Sequence, residues 1–315
     1  MAEIHNLVVN QGVDEARRAA ATAHERRLID IAAGILSEES DELGFSYSGF
    51  CMTSLPYRRL KEDNAVWERK NGRFSLIVEP GVLPENGKLT HYGVPYGARA
   101  RLILLYLQTQ AVKTDTRIVR LGPSMNQWLE RLGMSVGGSS YKAAREQLKR
   151  LSACRLTFAW SDDNGSSGFH RENVIASQIT FSEPAIGDTR QGSFWEDTAA
   201  LSDSFFQALK KHPVPIYEPA IRLIQSRPMT MDTYVWLCYR LRAVKKPTLI
   251  TWPILKEQFG TEYADLRFFR RDFLMALKEA TAAYPEANVE VSTGGVILKP
   301  SRPAVPEKKV FALGG

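Results

Sequence analysis

The sequence predicts an α+β chain of two winged-helix units in tandem, behind an N-terminal helical extension, and three observations carry that prediction. First, 315 residues at roughly 100–200 per domain make room for two domains. Second, the order helix, strand, helix, helix, strand, strand occurs twice along the chain, and this is the order of a helix-turn-helix with a β-hairpin appended. Third, the basic residues are clustered. Gly97 to Phe158 holds 11 Lys and Arg against 3 Asp and Glu, a local net of +8, so the rest of the chain sums to −2 although the whole carries +6. Trp160 to Asp203 has 8 acidic and 2 basic residues, and Thr230 to Arg302 has 11 basic and 8 acidic. Basic, acidic, basic is the charge order of a two-module nucleic-acid binder. Solvated helix faces would explain the second basic block equally well, but the first poorly.

Val13 to Leu36 places Leu28, Ile31, Ala32 and Ile35 at helical spacing, which predicts one N-terminal helix. Ala65 to Val78 reads as two β-prone runs joined through Asn71-Gly72, a strong hairpin signal because both residues tolerate positive φ. In the first unit, Ala98 to Val112 has a helical apolar face and Arg117 to Leu121 is strand-like. A second helix follows, with Ser124 and Gln127 fitting a capping box, Trp128, Leu129 and Leu132 as its buried stripe and Gly133 as its stop. Ser139 or Ser140 then caps a third helix, with Ala144, Leu148 and Leu151 inward. Arg155 to Trp160 and Asn173 to Phe181 read as strands closing the unit, joined by the turn Asp162-Asp163-Asn164-Gly165.

The second unit repeats the order. Met231 to Val244 is a helix, Thr248 to Thr251 a strand, and Trp252 to Phe259 a short helix with proline in its first turn and a stop at Gly260. Asp265 to Tyr284 is a long helix with Phe269, Phe273, Ala276, Leu277 and Ala280 inward, and Val289 to Ser292 with Val296 to Lys299 form the hairpin through Gly294-Gly295. The joint from Thr189 to Arg227, with Phe205-Phe206 and three prolines, is too apolar for a free linker and is expected to pack. Pro300 to Lys309 reads as a loose tail. The expected divisions are therefore an extension over 1–44, units over 45–188 and 229–302, a packed linker over 189–228 and a tail over 303–315.

Composition excludes several classes. Apolar residues at 44% and charged residues at 24% fit a folded soluble protein. The longest apolar run, Leu102 to Leu107, is far below the roughly 18 residues of a membrane span, and the first residues lack a signal peptide's regions, so the expected location is the cytoplasm with no membrane partner. Cys51, Cys154 and Cys238 are widely spaced and read as core residues. Gly81 to Leu89 resembles a phosphate-binding loop, but it has five residues between the glycines where four are required, and Leu89 replaces the Ser or Thr that would hold magnesium. It reads as a plain loop. No His-x-His or His-Glu-x-x-His pair occurs to present two imidazoles to one metal, and no cofactor, metal or catalytic role is expected.

In a helix-turn-helix the second helix enters the major groove and other basic groups neutralise phosphates. Ser139, Ser140 and Tyr141 at the start of the first candidate helix offer hydroxyls and free N–H groups to phosphate, and Lys142, Arg145 and Lys149 line one face. Arg267, Arg270, Arg271 and Lys278 form the corresponding face of the second; the arginines match guanine O6 and N7, although Asp265 and Asp272 can pair with them instead. Double-stranded DNA is thus the expected partner.

Several blocks carry a family resemblance. Phe50-Cys-Met-Thr-Ser-Leu-Pro56, Val66-Trp-Glu-Arg69 with Asn71-Gly-Arg-Phe, Gly93-Val-Pro-Tyr-Gly-Ala-Arg-Ala-Arg-Leu-Ile-Leu104, Leu132-Gly with Gly137-Gly, and Asp232-Thr-Tyr-Val-Trp-Leu-Cys-Tyr-Arg240 resemble the plasmid-encoded RepA replication initiators. The resemblance implies a protein that binds repeated sites at a plasmid origin, helps to open the duplex and recruits the host initiator and replicative helicase. It also implies similarity to tandem winged-helix initiators in which monomers bind direct repeats and a homodimer represses. A winged-helix transcriptional regulator is the alternative, and a protein-docking adaptor the third.

Overall fold

The computed structural model describes residues 3–85, 87–122, 125–161, 167–177 and 197–305. It opens with three helices, α1 (Glu3–Gln11), α2 (Val13–Ala19) and α3 (Ala23–Leu36), where the sequence predicts one helix over Val13 to Leu36. The break has a local cause. The Thr22 hydroxyl accepts from Glu25 N–H at 3.1 Å, while the Glu25 carboxylate accepts from Thr22 N–H at 3.1 Å and Ala21 N–H at 2.7 Å. This capping box starts α3 afresh and leaves Ala20 extended. Val8, Ala16, Ile29 and Ala32 bury a small core among the three helices.

Strand β1 (Leu43–Tyr47) pairs with Pro213–Tyr217, and its other edge is closed by a helix: Phe45 N–H donates to Thr109 Oγ1 at 2.9 Å and Tyr47 N–H to Gln108 Oε1 at 2.7 Å. After α4 (Ser48–Met52) come two hairpins, β2 (Trp67–Asn71) with β3 (Phe74–Glu79), and β4 (Gly81–Glu85) with β5 (Lys88–Tyr92). The hairpin predicted at Asn71-Gly72 forms one residue further on. Asn71 pairs with Phe74, so Gly72 and Arg73 make the turn, and Gly72 at φ +58° holds its first central position. Gly81 to Leu89, read in the sequence as a loop, is mostly strand, turned through Gly87 at φ +75°.

The first unit follows: α5 (Gly97–Lys113), β6 (Ile118–Gly122), α6 (Met125–Arg131) and α7 (Gly138–Ala153). Ser124, the expected cap of α6, lies outside the described residues. The expected stop holds. Gly133 at φ +67° lets Met134 N–H reach Leu129 O and Gly133 N–H reach Glu130 O, both at 2.8 Å. The cap of α7 is Gly137, without a side-chain bond, so Ser139 and Ser140 sit inside its first turn rather than capping it.

Strand pairing then departs from expectation. β7 (Arg155–Ser161) and β8 (Ser167–Glu172) extend the first hairpin into a sheet ordered β2-β3-β7-β8. β9 (Ile175–Ser177), within the predicted strand Asn173 to Phe181, leaves β7 and pairs with β10 (Asp197–Leu201), which also pairs with β6. The predicted turn at 162–165 lies outside the described residues. Alternation marks a residue run as a strand but does not name its partner.

Helix α8 (Asp203–Lys211), β11 (Pro213–Tyr217) and α9 (Glu218–Ile224) lead to the second copy: α10 (Pro228–Ala243), β12 (Thr248–Thr251), α11 (Trp252–Phe259), α12 (Leu266–Ala282), β13 (Val289–Val291) and β14 (Gly295–Leu298). Its sheet runs β12-β14-β13, which matches β6-β10-β9 place for place. Both copies therefore share one topology, and β7–β8 is an insertion between α7 and β9. The result is a mixed α/β protein in which one apolar core, from Leu28 to Leu298, runs through both copies. Phe205, Phe206, Leu209, Ile221 and Ile224 of the joint are buried in it. The tail is partly fixed, contrary to expectation: Val305 is buried with Leu43 and Phe45, and Arg302 O accepts from Tyr284 Oη at 2.7 Å. Residues 306–315 lie outside the described set.

Candidate nucleic-acid interface

The first two turns of α7 stand clear of the core on one side because Ala144, Leu148 and Leu151 bury the other. Ser139 and Lys142 are exposed and Tyr141 and Arg145 half-buried, while Ser140 is buried, its Oγ 3.1 Å from Ser135 Oγ. Ser140 is thus removed from the phosphate-binding set by its own packing. Lys149 is also committed. Its Nζ lies 2.5 Å from Glu85 Oε1 on β4 and 6.0 Å from the centre of the Tyr92 ring on β5. Burial alone would lower the Lys149 pKa, but the hydrogen bond to Glu85 and the neighbouring anionic groups outweigh it and hold the pKa above the ordinary lysine value.

On α12, Asp265 caps the helix by accepting from Arg267 N–H at 2.7 Å and also takes the Arg267 guanidinium at 2.7 Å. Arg271 bonds Asp272 Oδ1 at 2.7 Å, and this hydrogen bond holds the Asp272 pKa below the usual carboxylate range. Arg267 and Arg271 still expose 84% and 64% of their side chains, so these ion pairs are solvated and exchangeable. Between them Phe268 is 53% exposed, with the two guanidiniums 5.9 and 5.5 Å from its ring centre. The charge pattern of the sequence does not single out Phe268. Its signal was available, since the inward stripe through Phe269, Phe273 and Leu277 leaves Phe268 on the outer face. Arg270 is half-buried, its guanidinium 4.6 Å from the Trp252 ring. Lys278 is exposed but lies toward the end of α12 that packs on α3, away from Arg267 and Arg271.

Two cations counted in the basic block are structural. Arg101 of α5 holds Asp232 of α10 through two bonds of 2.7 Å and donates to Leu55 O at 2.6 Å, Gly97 O at 2.8 Å and Pro56 O at 3.2 Å. Arg150 of α7 is buried against Glu146 at 2.9 Å and Asp63 at 3.4 Å. Arg69, fully buried on β2, crosses to the second copy and bonds Thr261 at 2.8 Å and Glu262 at 2.9 Å. Cys51, Cys154 and Cys238 are buried free thiols. Among the described residues no cluster of His, Cys, Asp and Glu is placed to hold a metal, and no helix is long and apolar enough to cross a membrane.

The class defined by these features is a mixed α/β protein with a duplicated trihelical topology, each copy presenting cations on the exposed side of its third helix. The family profile described as "Plasmid encoded RepA protein" matches residues 94–253, half of the chain, and the chain belongs to that family. The match ends inside α11, so α12 lies beyond it. Domains 2 and 3 of RctB are similar in fold, with a TM-score of 0.50 at 15% identity over 81% of this chain and 98% of that one. A second structure of the same two domains gives a TM-score of 0.47 at 14% identity over 80% and 96%. No curated protein matches the sequence.

Proposed function

We propose that the chain is a non-enzymatic, sequence-specific binder of double-stranded DNA that initiates plasmid replication, built on two winged helices in tandem. The observation that supports this most is the shared sheet order, β6-β10-β9 and β12-β14-β13, which is compatible with a winged-helix reading of each copy. In that frame α7 and α12 are the groove-reading helices, with Lys142 and Arg145 on one and Arg267, Arg270 and Arg271 on the other. Their first turns face the bases while flanking cations meet phosphate. Family membership supports the replication role, and binding to repeated origin sites, duplex opening and recruitment of host replication proteins belong to the same proposal. The protein acts in the cytoplasm, as a monomer on DNA, with a homodimer as its alternative state.

Footprinting on the origin of its own plasmid tests this. The expected pattern is two protected major-groove segments on one face, roughly 10–10.5 base pairs apart or a multiple of that. Protection confined to a single half-turn overturns it. Supplying the protein in trans to an origin plasmid separates initiator from regulator, because only an initiator restores replication. Salt dependence gives a residue-level check: log K should fall with log salt by about 0.9 per phosphate contact. Lys142→Ala should reduce that slope by about one, whereas Lys149→Ala should leave it nearly unchanged because Glu85 already neutralises Lys149.

A further inference from the structure

We propose that the β4–β5 hairpin, which precedes the first trihelical unit in sequence, carries that unit's minor-groove contact, with Val82 and Leu89 as an apolar wedge. The inference rests on the reading of α7 as a groove-reading helix and adds a second DNA surface beside it.

The pairing register sorts the hairpin into two faces. Gly81, Leu83 and Glu85 stand opposite Tyr92, Thr90 and Lys88 on one face, and Val82 and Pro84 opposite His91 and Leu89 on the other. The first face is bolted to α7. Glu85 holds Lys149 at 2.5 Å, Lys149 lies over Tyr92, and at Gly81 a Cβ would come within 2.0 Å of the Ala153 carbonyl oxygen. Lys149 follows Lys142 by two helical turns and so shares its side of the helix. The hairpin therefore covers the basic side of α7 from Lys149 onward and leaves the first two turns open. A duplex resting on Lys142 and Arg145 must pass the hairpin.

Among the described residues nothing packs on the second face. Val82, Pro84, Leu89 and His91 are all exposed, Leu89 by 71% and Val82 by 43%. It carries no carboxylate, since Glu85 turns inward, and Lys88 is exposed beside the turn. Phosphate therefore meets no described anion on this face and one cation, Lys88, beside it. Five-residue strands span about 17 Å, the distance of about half a B-DNA turn from a major groove to the next minor groove. Uncharged leucine and proline side chains are what proteins insert between base steps on the minor-groove side.

The test uses Leu89→Ser combined with Val82→Ser in the full chain, on a duplex from its plasmid's origin. Both side chains are exposed, so the fold should survive, and a thermal melt checks that. Dimethyl sulfate reads adenine N3 in the minor groove and guanine N7 in the major groove. The native chain should protect both, and the double variant should lose adenine N3 protection beside the first site, keep guanine N7 protection and bind about tenfold more weakly. Unchanged N3 protection in the variant overturns the inference while leaving α7 its role. Loss of self-association with DNA contacts intact assigns the face to a second copy and also overturns it. Absence of guanine N7 protection in the native chain overturns the reading of α7 and this inference together.

Discussion

Asp232→Ala should lower the unfolding free energy by about 3–5 kcal/mol, because it leaves the Arg101 guanidinium buried without a counter-ion. The two side chains expose only 7% and 11%, and they join the first helices of the two copies. Burial pushes the Asp232 carboxyl above its ordinary pKa, and Arg101 pulls it back only in part. Such a pair has a small net worth while each half alone is costly. Arg101→Met with Asp232→Leu should therefore return to within about 1 kcal/mol of the native chain or exceed it. Urea unfolding of the native chain, the single variants and the double variant measures both numbers. A single-variant loss below about 1 kcal/mol would show the pair to be hydrated and the two copies to be held together by apolar packing alone.

That pair also shows what the sequence conceals. Elements bounded by local signals are legible: α11 falls where Pro253 and Gly260 place it, and β12 coincides with the strand-like run Thr248 to Thr251. The start of α3 was equally legible, since Thr22 and Glu25 stand at capping-box spacing, but a continuous apolar stripe masks it. The partner of β6 is not legible, because β10 lies some eighty residues further on and no local rule links them. Net charge misleads in the same way, as Arg101 and Arg150 belong to the basic block by position but are buried and paired by the fold. The blocks that resemble RepA initiators take on a physical meaning here. Leu55 and Pro56, Gly97 with Arg101, and Asp232 come from three of them, and all meet at one guanidinium. What those blocks encode is the joint between the copies, whereas the exposed cations of α12 lie outside them.

Glu279→Ala should cost a similar amount, about 3–5 kcal/mol, but locally. The carboxylate is fully buried on α12, 3.0 Å from Arg27 Nε of α3 and 2.8 Å from Arg227 Nη1 at the start of α10, and it accepts from Thr230 Oγ1 at 3.0 Å. His24 Nδ1 lies 3.5 Å away, and burial, only partly opposed by Glu279, holds the His24 pKa below its ordinary value. Removing the anion leaves two guanidiniums facing each other, so α1–α3 should loosen first. Amide exchange should accelerate in α3 and around Ala282, whose carbonyl accepts from His5 at 2.8 Å, while the β2-β3-β7-β8 sheet keeps its protection. Glu279→Gln should fall between, since it keeps the acceptor for Thr230 and loses only the charge. Arg267, Phe268 and Arg271 lie at the opposite end of α12, two to three turns from this cluster. Under conditions where Glu279→Ala remains folded, its DNA affinity should stay within about a factor of two of the native value, as expected of independent sites. A DNA affinity that falls in step with stability would mean that the three N-terminal helices set the presentation of α12 to the duplex.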